Sequence, residues 1–112
     1  MNSTLEFNAW HRSFNAVEQV REKYPNPSRA CPDTKIRESY CVGGSLCLFI
    51  GSTMRFPCSG DLANILRSLN IDLSDDAAIT YADAIIRKND SGDFDGAWDY
   101  LSGALCHRKA KS

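Results

Sequence analysis

Residues 36–51, IRESYCVGGSLCLFIG, constrain the fold more than any other stretch, because their apolar half demands burial and only two local structures can provide it. The pair Gly43-Gly44 supplies the positive φ of a two-residue hairpin turn. That turn puts Leu46, Leu48 and Ile50 on the same face as Cys41, Ser39 and Arg37, so an apolar strand would oppose a polar one. A lone two-stranded hairpin is also marginal in water. The alternative is a helix over residues 39–50, apolar nearly all round and therefore central. Its two glycines would cost about 1 kcal/mol each relative to alanine, a cost offset if they let another helix backbone pack closely. The helix is the preferred reading and makes the chain mainly α, a small irregular bundle of four or five helices. A hairpin at about 36–50 would make it α+β.

The flanking segments are helical by period. Phe7, Trp10, Phe14, Val17 and Tyr24 recur at spacings of three, four and seven, predicting an amphipathic helix over 3–24. Ser3 with Glu6 forms a capping box, and Pro25 forbids continuation. Its opposite face, with Asn8, Arg12, Asn15, Glu18 and Glu22, should be wet. Residues 25–33 hold three prolines with Asn, Ser and Asp, the composition of a loop, which reads as a plain linker or as a binding element. Ser59 or Gly60 opens a helix whose stripe is Leu62, Ile65, Leu66 and Leu69, ending near Asn70. Ser74 caps the next one, with Asp75 and Asp76 in its first turn and Arg87 and Lys88 in its last. Ala78, Ile79, Ala82, Ile85 and Ile86 form its buried side. Asn89-Asp-Ser-Gly92 is a turn cluster, after which Asp93 or Asp95 caps a final helix carrying Phe94, Ala97, Trp98, Leu101, Ala104 and Leu105.

The length, 112 residues, suits one domain. A net charge of −1 argues against a general nucleic-acid or anionic-membrane binder. The balance hides an asymmetry. Residues 1–67 carry eight basic and six acidic side chains, residues 68–106 two basic and eight acidic, and residues 107–112 add three basic ones. A basic partner surface could dock on the acidic stretch, although a solvated helix face with charged termini accounts for the same numbers. No apolar run approaches the length of a membrane span, and the amino terminus has no basic region or apolar core of a secretory leader. The cytoplasm is the default expectation.

Five cysteines are many for this length. In a reducing compartment they are expected to stay free. Their spacing, with Cys31, Cys41, Cys47 and Cys58 ten, six and eleven positions apart, does not suit a zinc site. No metal or other cofactor is expected. The turn around Asp93 and Asp95 lacks a calcium loop's twelfth ligand, since Ser102 stands there. Cys47 and Cys106 read as core residues and Cys31 as a loop thiol. Cys41 and Cys58 stand at helix starts, where exposed N–H groups and the dipole can lower a thiol pKa. With His11 or His107 they are the candidates for a Cys-His catalytic pair. Walker, GxGxxG, HExxH and GxSxG signatures are absent.

The combination Tyr40-Cys41-Val-Gly-Gly-Ser-Leu46, with Tyr81-Ala82-Asp-Ala-Ile85 and Asn89-Asp90-Ser-Gly92-Asp-Phe94-Asp-Gly-Ala97-Trp98 downstream, resembles a pattern in small uncharacterised bacterial and phage proteins. The resemblance covers about two thirds of the chain and implies a helical fold and mobile-element or phage ancestry. It implies no reaction. It draws Cys41 together with Asn89 and Asp90, as one site or as a structural clasp in which the turn caps a helix beside a buried cysteine.

With folding signals throughout and no catalytic constellation, the expectation is a protein-interaction or accessory module acting on a protein partner or on itself as a homodimer. Trp10, Tyr24, Phe56 and Trp98 are in surplus for so small a core, and an exposed one could anchor an interface. The rival is a cysteine-dependent enzyme or redox protein using Cys41 or Cys58. It requires a thiol pKa well below the free value and a histidine or carboxylate within hydrogen-bond reach.

Overall fold

A computed structural model of the protein describes residues 16–28 and 39–108. Among them are five helices and no strand: α1 (Ala16–Lys23), α2 (Val42–Phe49), α3 (Ser59–Leu69), α4 (Asp75–Asp90) and α5 (Phe94–Cys106). Helices α3, α4 and α5 follow one another through short turns and pack consecutively, α4 against both neighbours. α1 lies on α5, and α2 touches α1, α4 and α5.

The capping signals act as their chemistry requires. Ser74 Oγ accepts from Ala77 N at 3.1 Å and Asp93 Oδ1 from Gly96 N at 3.0 Å. Leu62, Leu66 and Leu69 of α3, Ala78, Ala82 and Ile85 of α4, and Ala97, Leu101, Ala104 and Leu105 of α5 all enter one core. Each fully buried leucine contributes about 2 kcal/mol by removing its surface from water. α1 adds Val17 and Val20, while Glu18 and Glu22 are exposed. The amino-terminal part of the expected first helix, with Trp10 and His11, lies outside the described residues.

The segment that decides the class is a helix, so the hairpin alternative is discarded. α2 is central: Val42 through Cys47 are all buried, and no charged residue occupies its first or last turn. It begins at Val42, three residues later than the pattern alone indicates, because Cys41 is extended and serves as its N-cap. The glycine pair does permit a close approach, to a loop backbone at Gly44 and to a helix side chain at Gly43. A Cβ on Gly44 would stand 1.7 Å from the carbonyl oxygen of Arg55, whose loop crosses the first turn of α2. A Cβ on Gly43 would stand 2.9 Å from Leu62 of α3.

Three further expectations are corrected. Ile79 is 43% exposed, since α4 is covered along the Ala78, Ala82, Ile85 line and Ile79 lies beyond its edge. α4 also runs through Asn89 and Asp90, which were expected in the turn; Ser91 is its C-cap and Gly92, at φ 86°, makes the reversal. Cys106, expected in the core, is exposed at the last position of α5.

Candidate functional site

The two ends of α2 and α5 are finished by side chains from elsewhere in the chain. Asn89 is 1% exposed. Its Oδ1 accepts from Val42 N at 2.9 Å, at the start of α2, and its Nδ2 donates to the Ser28 carbonyl at 2.9 Å. Cys41 Sγ accepts from Gly44 N at 3.2 Å, and Cys41 N donates to the Arg55 carbonyl at 3.1 Å. The first-turn N–H groups of Val42 and Gly44 are therefore spent inside the protein. Asn70, 2% exposed, does the converse at the end of α5. Its Nδ2 donates to the carbonyls of Ala104 and His107, both at 2.9 Å, while its Oδ1 accepts from Asp72 N at 3.0 Å.

This placement corrects the expectation of an activated thiol at Cys41. Burial pushes the Cys41 thiol up, and the hydrogen bonds from Gly44 and Gly43, which act in the opposite direction, do not outweigh it. Cys47, also buried, is pushed up to about 12 by burial and by its proximity to Cys41 and Asp61. Cys58 is exposed and is the N-cap of α3 without a cap bond; its Sγ donates to Asp61 Oδ2 at 3.2 Å. His107 is not its partner. The His107 ring packs edge-on against Tyr81 at 5.7 Å, with Nδ1 3.4 Å from the Tyr81 hydroxyl. Because Asn70, at the far end of α3, touches the His107 carbonyl, the length of that helix, about 17 Å, separates Cys58 from the histidine's backbone. Cys31 and His11 lie outside the described residues. Among the described residues no three His, Cys, Asp or Glu side chains are grouped to hold a metal ion.

Of the aromatic candidates, Trp98 is 3% exposed and belongs to the core, contrary to its expected surplus; the α1–α5 contact accommodates it. Tyr24 and Phe56 are half-buried, and Tyr24 meets Tyr40 edge-on at 5.4 Å between ring centres. Trp10 lies outside the described residues.

What the sequence does not reveal is a groove of about 430 Å³ between the end of α1 and the α4–α5 turn. Pro25 and Pro27 form one wall, Phe94 and Trp98 the apolar side of the other, and Arg21, Asp93 and Asp95 its charged rim. The volume lies in the range of ordinary ligand sites. Arg21 pairs with Asp95, its guanidinium carbon 5.8 Å from the Trp98 ring centre. Lys88 Nζ lies 3.5 Å from Asp93 Oδ2. The Gly96 N–H, with Lys88, holds the Asp93 carboxyl below its ordinary value. The proline wall is fixed by Tyr40, whose hydroxyl accepts from Asn26 N at 3.1 Å and whose carbonyl accepts from Ser28 N at 2.6 Å. Asn89 holds the same segment through Ser28. The clasp at α2 thus also shapes the groove. The only sequence signal for it is the proline-rich composition of 25–33.

No family model matches the chain, and no curated protein or solved structure matches it.

Proposed function

We propose that the protein is a cytoplasmic, non-catalytic interaction module, an accessory protein of phage or mobile-element ancestry, that binds a protein partner through the groove between α1 and the α4–α5 turn. The observation that carries this reading is the preformed groove itself: its proline wall is anchored by Asn89 and Tyr40, so little ordering remains to oppose binding. Cys41, the thiol nearest the clasp, serves as a buried helix cap, which supports a non-catalytic role for it. No helix among the described residues is long and apolar enough to cross a membrane.

A photo-crosslinking amino acid at position 26, on the exposed rim, tests the reading in cells. The expected result is one discrete protein adduct, absent when the same group stands at exposed Ser68. An adduct of twice the chain mass would identify a second copy as the partner. Absence of any adduct specific to position 26 would overturn the reading.

A second reading rests on Cys58, which is exposed and has a carboxylate 3.2 Å from its sulfur. It makes the protein a cysteine-dependent enzyme. Alkylation of Cys58 in the native protein faster than that of a free cysteine peptide would favour it, and a rate at or below the peptide's would remove it.

A further inference from the structure

We infer that the occupant of the groove is a basic segment of another protein, presenting arginine or lysine side chains beside an apolar anchor. This deepens the proposed interaction role and rests on it. Three observations converge. The groove offers apolar surface from Pro25, Pro27 and Phe94, with the buried Trp98 behind them. Its α5 side is acidic: of the residues that line it there, Gly92, Asp93, Phe94, Asp95 and Trp98, the two that carry charge are both exposed aspartates. The side chains of Asp93 and Asp95 are 49% and 80% exposed even with Lys88 and Arg21 paired to them, so carboxylate oxygen remains open to a visitor.

The third observation is that the protein already carries out this recognition within itself. The Arg21 guanidinium sits by the Trp98 ring while bonding Asp95, the combination of aromatic and carboxylate that suits an arginine. A visiting cation would bond the outward oxygens of Asp93 and Asp95, and an apolar neighbour would enter between the prolines and Phe94. Phosphate-bearing partners, nucleic acid or anionic lipid, would meet carboxylates of their own sign.

Fluorescence anisotropy on the full chain with three labelled hexapeptides provides the test: alternating arginine and leucine, alternating arginine and serine, and alternating glutamate and leucine. The arginine-leucine peptide is expected to bind, at least about fivefold more tightly than arginine-serine, with no binding by the glutamate peptide. Asp93→Asn with Asp95→Asn should weaken it about tenfold, and asparagine at 93 keeps a competent cap for α5. Asn26→Asp on the opposite rim should tighten it about threefold, which a merely unfolded variant could not do. Equal binding of arginine-serine, no loss in the double aspartate variant, or no arginine-leucine binding below about 1 mM would each overturn the inference. Preference for a labelled single-stranded RNA over the arginine-leucine peptide would overturn it too. A partner captured at position 26 together with failure of all three peptides overturns the basic occupant and leaves the interaction role standing; no capture overturns the role.

Discussion

Asn89 and Asn70 are both buried amides that finish a helix they do not belong to, yet they do so with opposite ends of the same functional group. Asn89 offers its oxygen to the N–H of Val42 at the start of α2, and Asn70 offers its NH2 to the carbonyls of Ala104 and His107 at the end of α5. The partners differ in what they tolerate. A buried N–H has one proton and needs one acceptor, whereas a carbonyl has two lone pairs and is more often left partly satisfied. The surroundings differ as well, because the bond to His107 is only partly buried and water can take it over, while the bond to Val42 is enclosed. α2 also lacks any charged residue in its first turn, so the Asn89 and Cys41 bonds are its main compensation there.

The comparison breaks first under charge. Asn70→Asp puts a carboxylate against carbonyl oxygens at the negative end of α5 and should cost about 4 kcal/mol at neutral pH. The folded-state pKa of such an acid is raised, so stability is retained below the ordinary carboxyl pKa and lost as pH rises from there through the raised folded value. Denaturant melts at acid and neutral pH would show the difference. Truncation comes next: Asn89→Ala strands Val42 N and the Ser28 carbonyl and should cost about 3 kcal/mol. Asn70→Ala should cost about 2 kcal/mol, the gap reflecting the carbonyls' tolerance. Urea midpoints that place Asn70→Ala below Asn89→Ala would invert the argument.

The smallest effect is alkaline and separates the two ends by their sulfur. Among the described residues the buried thiols are Cys41 and Cys47, at and within α2. Cys47 stays protonated in the folded state up to about 12, whereas its unfolded thiol ionises near the ordinary 9.0. The unfolded state then binds fewer protons, so stability is full below pH 9 and falls between 9 and 12. Near pH 10 the loss from Cys47 should be about 1 kcal/mol. Cys47→Ala should flatten that dependence in alkaline melts while Cys106→Ala leaves it unchanged.

The three carboxy-terminal helices were legible because cap, period and dipole agree at Ser74, Asp93 and the leucine stripe of α3. The helical state of α2 was legible from failed hairpin register. Its glycines were not fully so: the neighbour of Gly44 is the Arg55 carbonyl, and a loop crossing leaves no periodic mark in the sequence. Trp98 lies buried on the expected stripe, where α1 covers α5, whereas Cys106 was misplaced because the sequence does not show whether the last position of a helix is covered. The thiol of Cys41 was misjudged for a related reason, since its position at a helix start is visible in the chain and its depth is not. The groove depends on Asn89 reaching Ser28, a contact no local pattern announces.

That reach has a kinetic meaning. Asn89 bonds Val42 across 47 positions and Ser28 across 61, while α3, α4 and α5 join neighbours in the chain. Long loops close late in folding, so the consecutive helices assemble first and the asparagine locks afterwards. Asn89→Ala should therefore leave the refolding arm of a chevron plot nearly unmoved and accelerate unfolding about a hundredfold, making this amide the latch on the native state's lifetime.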